Sequence, residues 1–354
     1  KPFKRWESYM TERVYPSGNM NLPSSTYANF MEWQKSDYSN KQSNNNSLIT
    51  SSWTEIGPIG SPSGPSPYTR TGAGRTTFLR FSPDLNTMYV GTPDGGLWKS
   101  TNNGASWTTN TDFLGVIGCS DIAITPSNPN IMYLATGDIE SDRRSIGILK
   151  SIDGGNTWNP TSLTFTVQEG YKISKLLMDP SNSQKMIVAT NTGIYYTTDG
   201  WQTNTFVNVN GENPTLYDME FKPGNANANT VYAAGTKLYK STDFGATWVQ
   251  ITNGIPTTDI VRIALGVSPN NADYVYALIA KANSSFKGVY RSSDSGSSFS
   301  TMSTSPNLLG YAEDGNDTAG QGFYDLAIAV SPVDADYLVV GGINHWVSSN
   351  GGSS

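Results

Sequence analysis

Cysteine and histidine are almost absent from this chain of 354 residues. Cys119 is the single cysteine and His345 the single histidine. An internal disulfide is therefore impossible, and zinc sites built from cysteine and histidine are excluded. A Ser-His-Asp triad would have to use His345, which sits in the strand-like stretch Ile343-Asn344-His345-Trp346 and is read as a packed or surface side chain. Cys119 is read as a small buried residue, not a reactive thiol. Lys and Arg number 23 against 29 Asp and Glu, and no basic tract occurs, so nucleic acid is not an expected partner. No apolar run is long enough for a membrane-spanning helix. Lys1 opens the chain without an apolar leader, which fits a mature chain after signal removal and equally a trimmed one.

Turn formers and strand formers are plentiful: 35 Gly, 19 Pro, 19 Tyr and 9 Trp. They are ordered by one returning stretch. Its clearest copy is Ser151-Ile152-Asp153-Gly154-Gly155-Asn156-Thr157-Trp158, matched by Ser241-Thr242-Asp243-Phe244-Gly245-Ala246-Thr247-Trp248. Ser100 to Trp107 carries Asn102 in place of Asp, Ser292 to Phe299 ends on Phe, and Thr197-Thr198-Asp199-Gly200-Trp201 is a worn copy that lacks the Gly. The last copy, Ser348-Ser349-Asn350-Gly351-Gly352-Ser353-Ser354, stops where its aromatic would follow. Ser354 is therefore read as a fragment boundary with more chain expected beyond it. The third positions fall at 102, 153, 199, 243, 294 and 350, so successive copies are 44 to 56 residues apart. That period signals a repeat architecture. The chemistry suits a hairpin: Asp or Asn bonding backbone N–H groups two residues on, Gly supplying positive φ, hydroxyls closing the ends. The aromatic is expected to open the next strand and pack against its own unit.

Around each copy the pattern is the same. A first apolar strand ends at Pro, as in Ile122-Ala123-Ile124-Thr125-Pro126 and Ala264-Leu265-Gly266-Val267-Ser268-Pro269. A second strand follows (Met132-Tyr133-Leu134, Val275-Tyr276-Ala277), then a third that runs into the hairpin, then a fourth from the aromatic. The expected fold is all-β: a β-propeller of four-stranded antiparallel blades, six repeats visible and incomplete at the C-terminus. The expected organisation is a helical arm over 1–38, a polar linker over 39–52 and the propeller over 53–354. Trp53-Thr54-Glu55-Ile56-Gly57-Pro58 resembles the strand after a hairpin with no hairpin before it, which suits ring closure by the N-terminal strand.

The returning stretch resembles the Asp-box, or BNR repeat, of bacterial sialidases, sortilin-type receptors and xyloglucanase-type glycoside hydrolases, all of them β-propellers. In those families the box is an outer structural turn, so Asn102, Asp153, Asp199, Asp243, Asp294 and Asn350 are assigned structural roles by the resemblance. The sialidase Arg-Ile-Pro segment is absent. The xyloglucanase-type catalytic Asp has no match either: in Thr92-Pro93-Asp94-Gly95-Gly96, Asp94 sits one residue late and Pro93 takes the place. Those enzymes also draw a partner acid from a second propeller, which this chain does not contain. No catalytic residue is assigned. Stretches such as Gly72-Ala73-Gly74-Arg75, Gly95 to Ser100, Ile117 to Ala123 and Gly320-Gln321-Gly322-Phe323-Tyr324-Asp325-Leu326 resemble sortilin-like propellers exported by the type IX secretion system of Bacteroidetes. That resemblance implies a secreted or cell-surface protein of a Gram-negative bacterium. Asp317-Thr318-Ala319 is similar to the short O-glycosylation signal of such proteins.

Candidate binding residues recur at the start of the first strands: Arg75, Asp121, Lys175, Asp218, Arg262 and Asp325. Two readings stand side by side. They form a ring of alternating charge facing a ligand at the channel mouth, or they tie blade to blade. The long insertions, Thr136 to Gly147 and Thr301 to Gly322, are where recognition is usually grafted. No cofactor or metal motif is complete; Asp314, Asn316 and Asp317 space oxygen ligands in the manner of a calcium loop but lack its bidentate Glu. The expected function is non-catalytic binding or adhesion, with a surface glycan or a protein as ligand. The alternatives are a glycoside hydrolase or polysaccharide-binding protein of the xyloglucanase type, and cargo held by the type IX translocon and its carrier proteins.

Overall fold

In a computed structural model, residues 75–224 and 229–354 are described. The expected helical arm, the polar linker and the strand at 53–58 lie outside them. Blade 1 is β1 (Phe78–Phe81), β2 (Met88–Gly91), β3 (Leu97–Ser100) and β4 (Thr108–Thr109). Blade 2 is β5 (Cys119–Ile124), β6 (Met132–Thr136), β7 (Gly147–Ser151) and β8 (Asn159–Thr164). Blade 3 is β9 (Ile173–Asp179), β10 (Asn182–Thr190), β11 (Gly193–Thr197) and β12 (Thr205–Val207). Blade 4 is β13 (Asp218–Phe221), β14 (Val231–Ala234), β15 (Leu238–Ser241) and β16 (Val249–Ile251). Blade 5 is β17 (Arg262–Ser268), β18 (Asn271–Ala280), β19 (Phe286–Ser292) and β20 (Ser300–Ser303). Blade 6 is β21 (Ala327–Val330), β22 (Leu338–Gly341) and β23 (His345–Ser348), three strands among the described residues. Every sheet is an antiparallel meander, and the molecule is the expected six-bladed propeller. Its one helical piece among the described residues is a single 3-10 turn, Val167–Glu169.

The second strands are apolar on both faces because each lies between two neighbouring blades. Met132–Thr136 is buried throughout. Among the described residues five separate apolar cores result, one for each pair of blades consecutive in sequence. Tyr89 and Leu97 meet Leu134 and Trp158 between blades 1 and 2. Ile148 meets Met186 and Trp201 between blades 2 and 3. Ile187 meets Tyr239 and Trp248 between blades 3 and 4. Leu238 meets Ile279 and Phe299 between blades 4 and 5. Leu278 and Val289 meet Leu338 and Val340 between blades 5 and 6. The hairpin aromatics therefore do not serve only their own blade, as the sequence suggested. Trp158, Trp201, Trp248 and Phe299 each enter the core shared with the preceding blade, where far more apolar surface is within reach.

The hairpins themselves are closed by side chains. Ser151 Oγ donates to Asp153 Oδ1 (2.7 Å) and accepts the Gly155 N–H (2.9 Å). Asp153 Oδ1 accepts the N–H groups of Asn156 (3.0 Å) and Thr157 (2.9 Å), and Thr157 Oγ1 donates to Oδ2 (2.7 Å). The carboxylate thus caps positions three and four residues on, not two, because two successive left-handed residues fold the turn back over it. Gly154 (φ 72°) and Gly155 (φ 85°) are that pair. The same bonds recur at Asp199, Asp243 and Asp294, and Asn102 and Asn350 reproduce them with an amide. In the worn copy Trp201 itself takes the second left-handed position (φ 62°), and its N–H still reaches Thr197 Oγ1 at 3.1 Å. Its ring is 1% exposed. The aromatic has moved three positions forward along the motif and the core has kept it.

These hairpins join third to fourth strands. The insertions join second to third strands, or lead into first strands. In an antiparallel meander those connections lie at opposite ends of the blade. One end of the ring is made of repeated turns, and the other carries the variable loops and the channel mouth.

Candidate functional site

Side chains on a first strand alternate between blade core and ring axis. In β13, Met219 enters the core while Asp218 and Glu220 face the axis. Positions in or just before the first strands bring Arg75, Asp121, Lys175, Asp218, Arg262 and Asp325 together in one cavity of about 410 Å³ to which all six blades contribute. That volume lies in the ~300–1,000 Å³ range of small-molecule sites. Arg80, Glu140, Glu220, Tyr217 and Tyr324 line it as well.

The deeper layer is a set of blade-to-blade ties. Arg80 of blade 1 pairs with Asp121 of blade 2 at 3.0 Å, and Asp121 Oδ2 accepts the Leu176 N–H of blade 3 at 3.2 Å. Lys175 of blade 3 reaches Asp218 and Glu220 of blade 4, both at 3.1 Å, and Asp218 Oδ2 accepts the Leu265 N–H of blade 5 at 2.8 Å. Burial works against the Lys175 charge, but Asp218 and Glu220 outweigh it and hold the ammonium above its ordinary pKa.

The upper layer is different. The insertion between β6 and β7 is a tight loop closed by paired backbone bonds between Asp138 and Arg143. It projects Glu140 over the mouth, where the carboxylate meets Arg75 of blade 1 and Arg262 of blade 5. Arg75 also holds Asp138 (2.8 Å) and Ser141 (2.6 Å) and lies over the Tyr324 ring at 4.8 Å. Arg262 donates to the Tyr324 carbonyl at 3.0 Å and lies over Tyr217 at 5.4 Å. Asp325 stands apart. Among the described residues its carboxylate has no hydrogen bond and no ion pair, and burial pushes its pKa up despite Arg75 and Arg262.

Sequence reasoning placed Glu140 in a charged insertion without giving it a role. The signal was the density of charge in Asp138, Glu140, Asp142, Arg143 and Arg144. Arg80 and Glu220 were hidden inside first-strand patterns. Elsewhere, Asp94 lies in the β2–β3 turn, exposed and bidentate to Arg143 (2.5 and 2.9 Å). Asp317 accepts the Tyr311 N–H (2.6 Å) and Asp314 the Asn316 N–H (3.1 Å), so both carboxylates are engaged within their own loop. No group of three metal-ligating side chains occurs among the described residues. Cys119 is buried, which pushes its thiol up to about 12, and His345 is exposed at the channel mouth. No helix among the described residues is long and apolar enough to cross a membrane.

No family model matches the chain. It is similar to a xyloglucanase of Paenibacillus sp, 26% identical over 177 residues that cover 48% of this chain and 14% of that protein. It is also similar to a probable oligoxyloglucan-reducing end-specific xyloglucanase of Neosartorya fischeri, 25% identical over 276 residues covering 56% of this chain and 34% of that protein. Those matches span about a third or less of the curated relatives. Among solved structures, the GH74 enzyme of Niastella koreensis superposes with a TM-score of 0.58 at 21% identity, covering 80% of this chain and 45% of that one. YCF48 from Cyanidioschyzon merolae superposes with a TM-score of 0.51 at 15% identity, covering 79% and 84%. Both structural likenesses establish the propeller fold.

Proposed function

We propose that this chain is a polysaccharide-binding propeller of the xyloglucanase type, taking a xyloglucan-like chain across the face that holds the channel mouth. The observation that carries this reading is the mouth itself. It is a polar cavity with carboxylates, hydroxyls and tyrosine rings, set on the end of the ring that bears the long insertions. The curated relatives, named as xyloglucanases, supply the substrate class. Glycoside hydrolysis takes two carboxyl groups, one of them able to carry a proton. Here Asp121, Glu140, Asp218 and Glu220 are all committed to Arg or Lys, and Asp325 alone is left among the lining residues. Burial holds the Glu220 carboxyl above its ordinary range, but Lys175 engages it, so this chain is proposed to bind without turnover. A polysaccharide substrate places the protein outside the cell, secreted or surface-held, and export by the type IX route fits that placement.

Affinity electrophoresis in gels cast with xyloglucan tests the reading. Retardation by xyloglucan but not by an α-glucan is expected, with no reducing ends released. Equal mobility in both gels would refute it. Turnover that disappears in Asp121→Asn or Asp218→Asn would refute the binding-only part.

A further inference from the structure

We propose that the turn at 321–325 forms a subsite for one neutral pyranose ring, with Asp325 accepting the sugar hydroxyls and Phe323 stacking on the ring face. The inference rests on the polysaccharide reading above and assigns it a place and residues.

The charges of the cavity narrow the ligand. Arg75, Arg80, Lys175 and Arg262 are its cationic lining residues, and each already holds a carboxylate. Apart from the imidazole of His345 at the rim, an acidic sugar would meet no free cation and one unpaired anion. A neutral sugar suits the site, because a carboxylate with open lone pairs accepts hydroxyl protons in strong, charge-assisted bonds.

The aromatic partner lies in the same turn. Phe323 is 54% exposed and directly precedes Tyr324 and Asp325, which line the cavity. Its ring lies 6.1 Å from that of Tyr324, whose other contact is the Arg75 guanidinium. A flat apolar face next to hydrogen-bonding groups is the arrangement that binds a pyranose, whose axial C–H bonds pack on rings while its hydroxyls point outward.

The support is rigid. Asn307 ties the insertion together, donating to the Asp317 carbonyl (3.1 Å) and the Ala319 carbonyl (2.8 Å) and accepting the Phe286 N–H (2.9 Å). The Gly322 N–H bonds the Ser284 carbonyl at 2.8 Å, and the Asp325 N–H closes the turn on the Gln321 carbonyl at 2.9 Å. A subsite on a fixed turn loses little entropy on binding.

Isothermal titration of the chain with a xyloglucan-derived oligosaccharide tests the assignment. Asp325→Ala should weaken binding about tenfold or more, Asp325→Asn less, and Phe323→Ala about three- to tenfold. Tyr337→Ala, an exposed aromatic at the opposite end of blade 6, should bind as the parent does. Thermal melts of the isosteric Asp325→Asn confirm that its effect is not misfolding. If the parent binds and the Asp325 and Phe323 variants bind equally well, the subsite is wrong while the polysaccharide reading stands. If the parent binds no neutral oligosaccharide, both fall. Tighter binding of an amino-sugar oligosaccharide would overturn the neutral-ligand assignment.

Discussion

Replacing Glu140 by alanine removes a carboxylate that links blade 2 to blades 1 and 5 over the channel mouth. The two arginines would be left in unequal states. Arg75 keeps Asp138 and Ser141. Arg262, whose side chain is 7% exposed, keeps the carbonyls of Phe323 and Tyr324 and the Tyr217 ring but no paired carboxylate, and its Nε has no partner. Breaking a buried ion pair from one side costs about 3–5 kcal/mol. Glu140 is itself 18% exposed, so water reaches the site and the lower end applies, about 3 kcal/mol. At this chain length 1 kcal/mol moves the midpoint by about 1.3 °C, which gives a fall of about 4 °C by scanning calorimetry. Arg262→Met should cost less, because it removes the buried charge itself and leaves Glu140 paired with Arg75. The double variant should fall short of the sum by at least about 1 kcal/mol. A Glu140→Ala midpoint within about 1 °C of the parent, or strict additivity with Arg262→Met, would show that the link across the mouth contributes nothing.

Three further outcomes follow from the same coordinates. Trp248→Ala empties a position that is 5% exposed between blades 3 and 4, and should cost about 3–5 kcal/mol in urea unfolding. Gly147→Ala would put a Cβ 1.9 Å from the Leu163 carbonyl oxygen at φ 98°, so a loss above about 2 kcal/mol is expected in the same assay. Hydrogen bonds from the turn hydroxyls and N–H groups hold Asp153, Asp199 and Asp294 at about 2 in the folded chain, below their ordinary 3.8. A depressed folded pKa means the contribution is complete above about pH 4 and is lost as pH falls toward 2. Acid melts of the parent should therefore steepen in that window, and Asp→Asn at all three positions should flatten them.

Much of the fold was legible because its cause is local. The returning hairpin needs particular side chains at fixed spacing, and first strands show their alternation and their terminal Pro directly. That is why the six expected polar residues, from Arg75 to Asp325, arrived in one cavity. The capping offset of Asp153 was missed because it depends on two left-handed residues in succession, which composition does not distinguish from a simpler turn. The destination of Trp158 and Trp248 was missed because a blade read alone shows only its own strands. Glu140 was the hardest, since its partner Arg262 is 122 positions away and nothing local marks the pair. Asp325 was identified as a ring member, but that it is left over after pairing emerges only when every neighbour is counted.

Because the apolar interior of the described residues is divided into five lots, and the axis is filled with charge, no single heart among them undoes the propeller at once when it fails. A fault introduced at one boundary loosens two blades first and reaches the others only through them. Among the described residues no sixth lot joins blade 6 to blade 1, where the stacking of Arg75 on Tyr324 bridges the two. Amide exchange should therefore report on each of the five boundaries separately, a substitution at one leaving protection at the distant ones close to that of the parent.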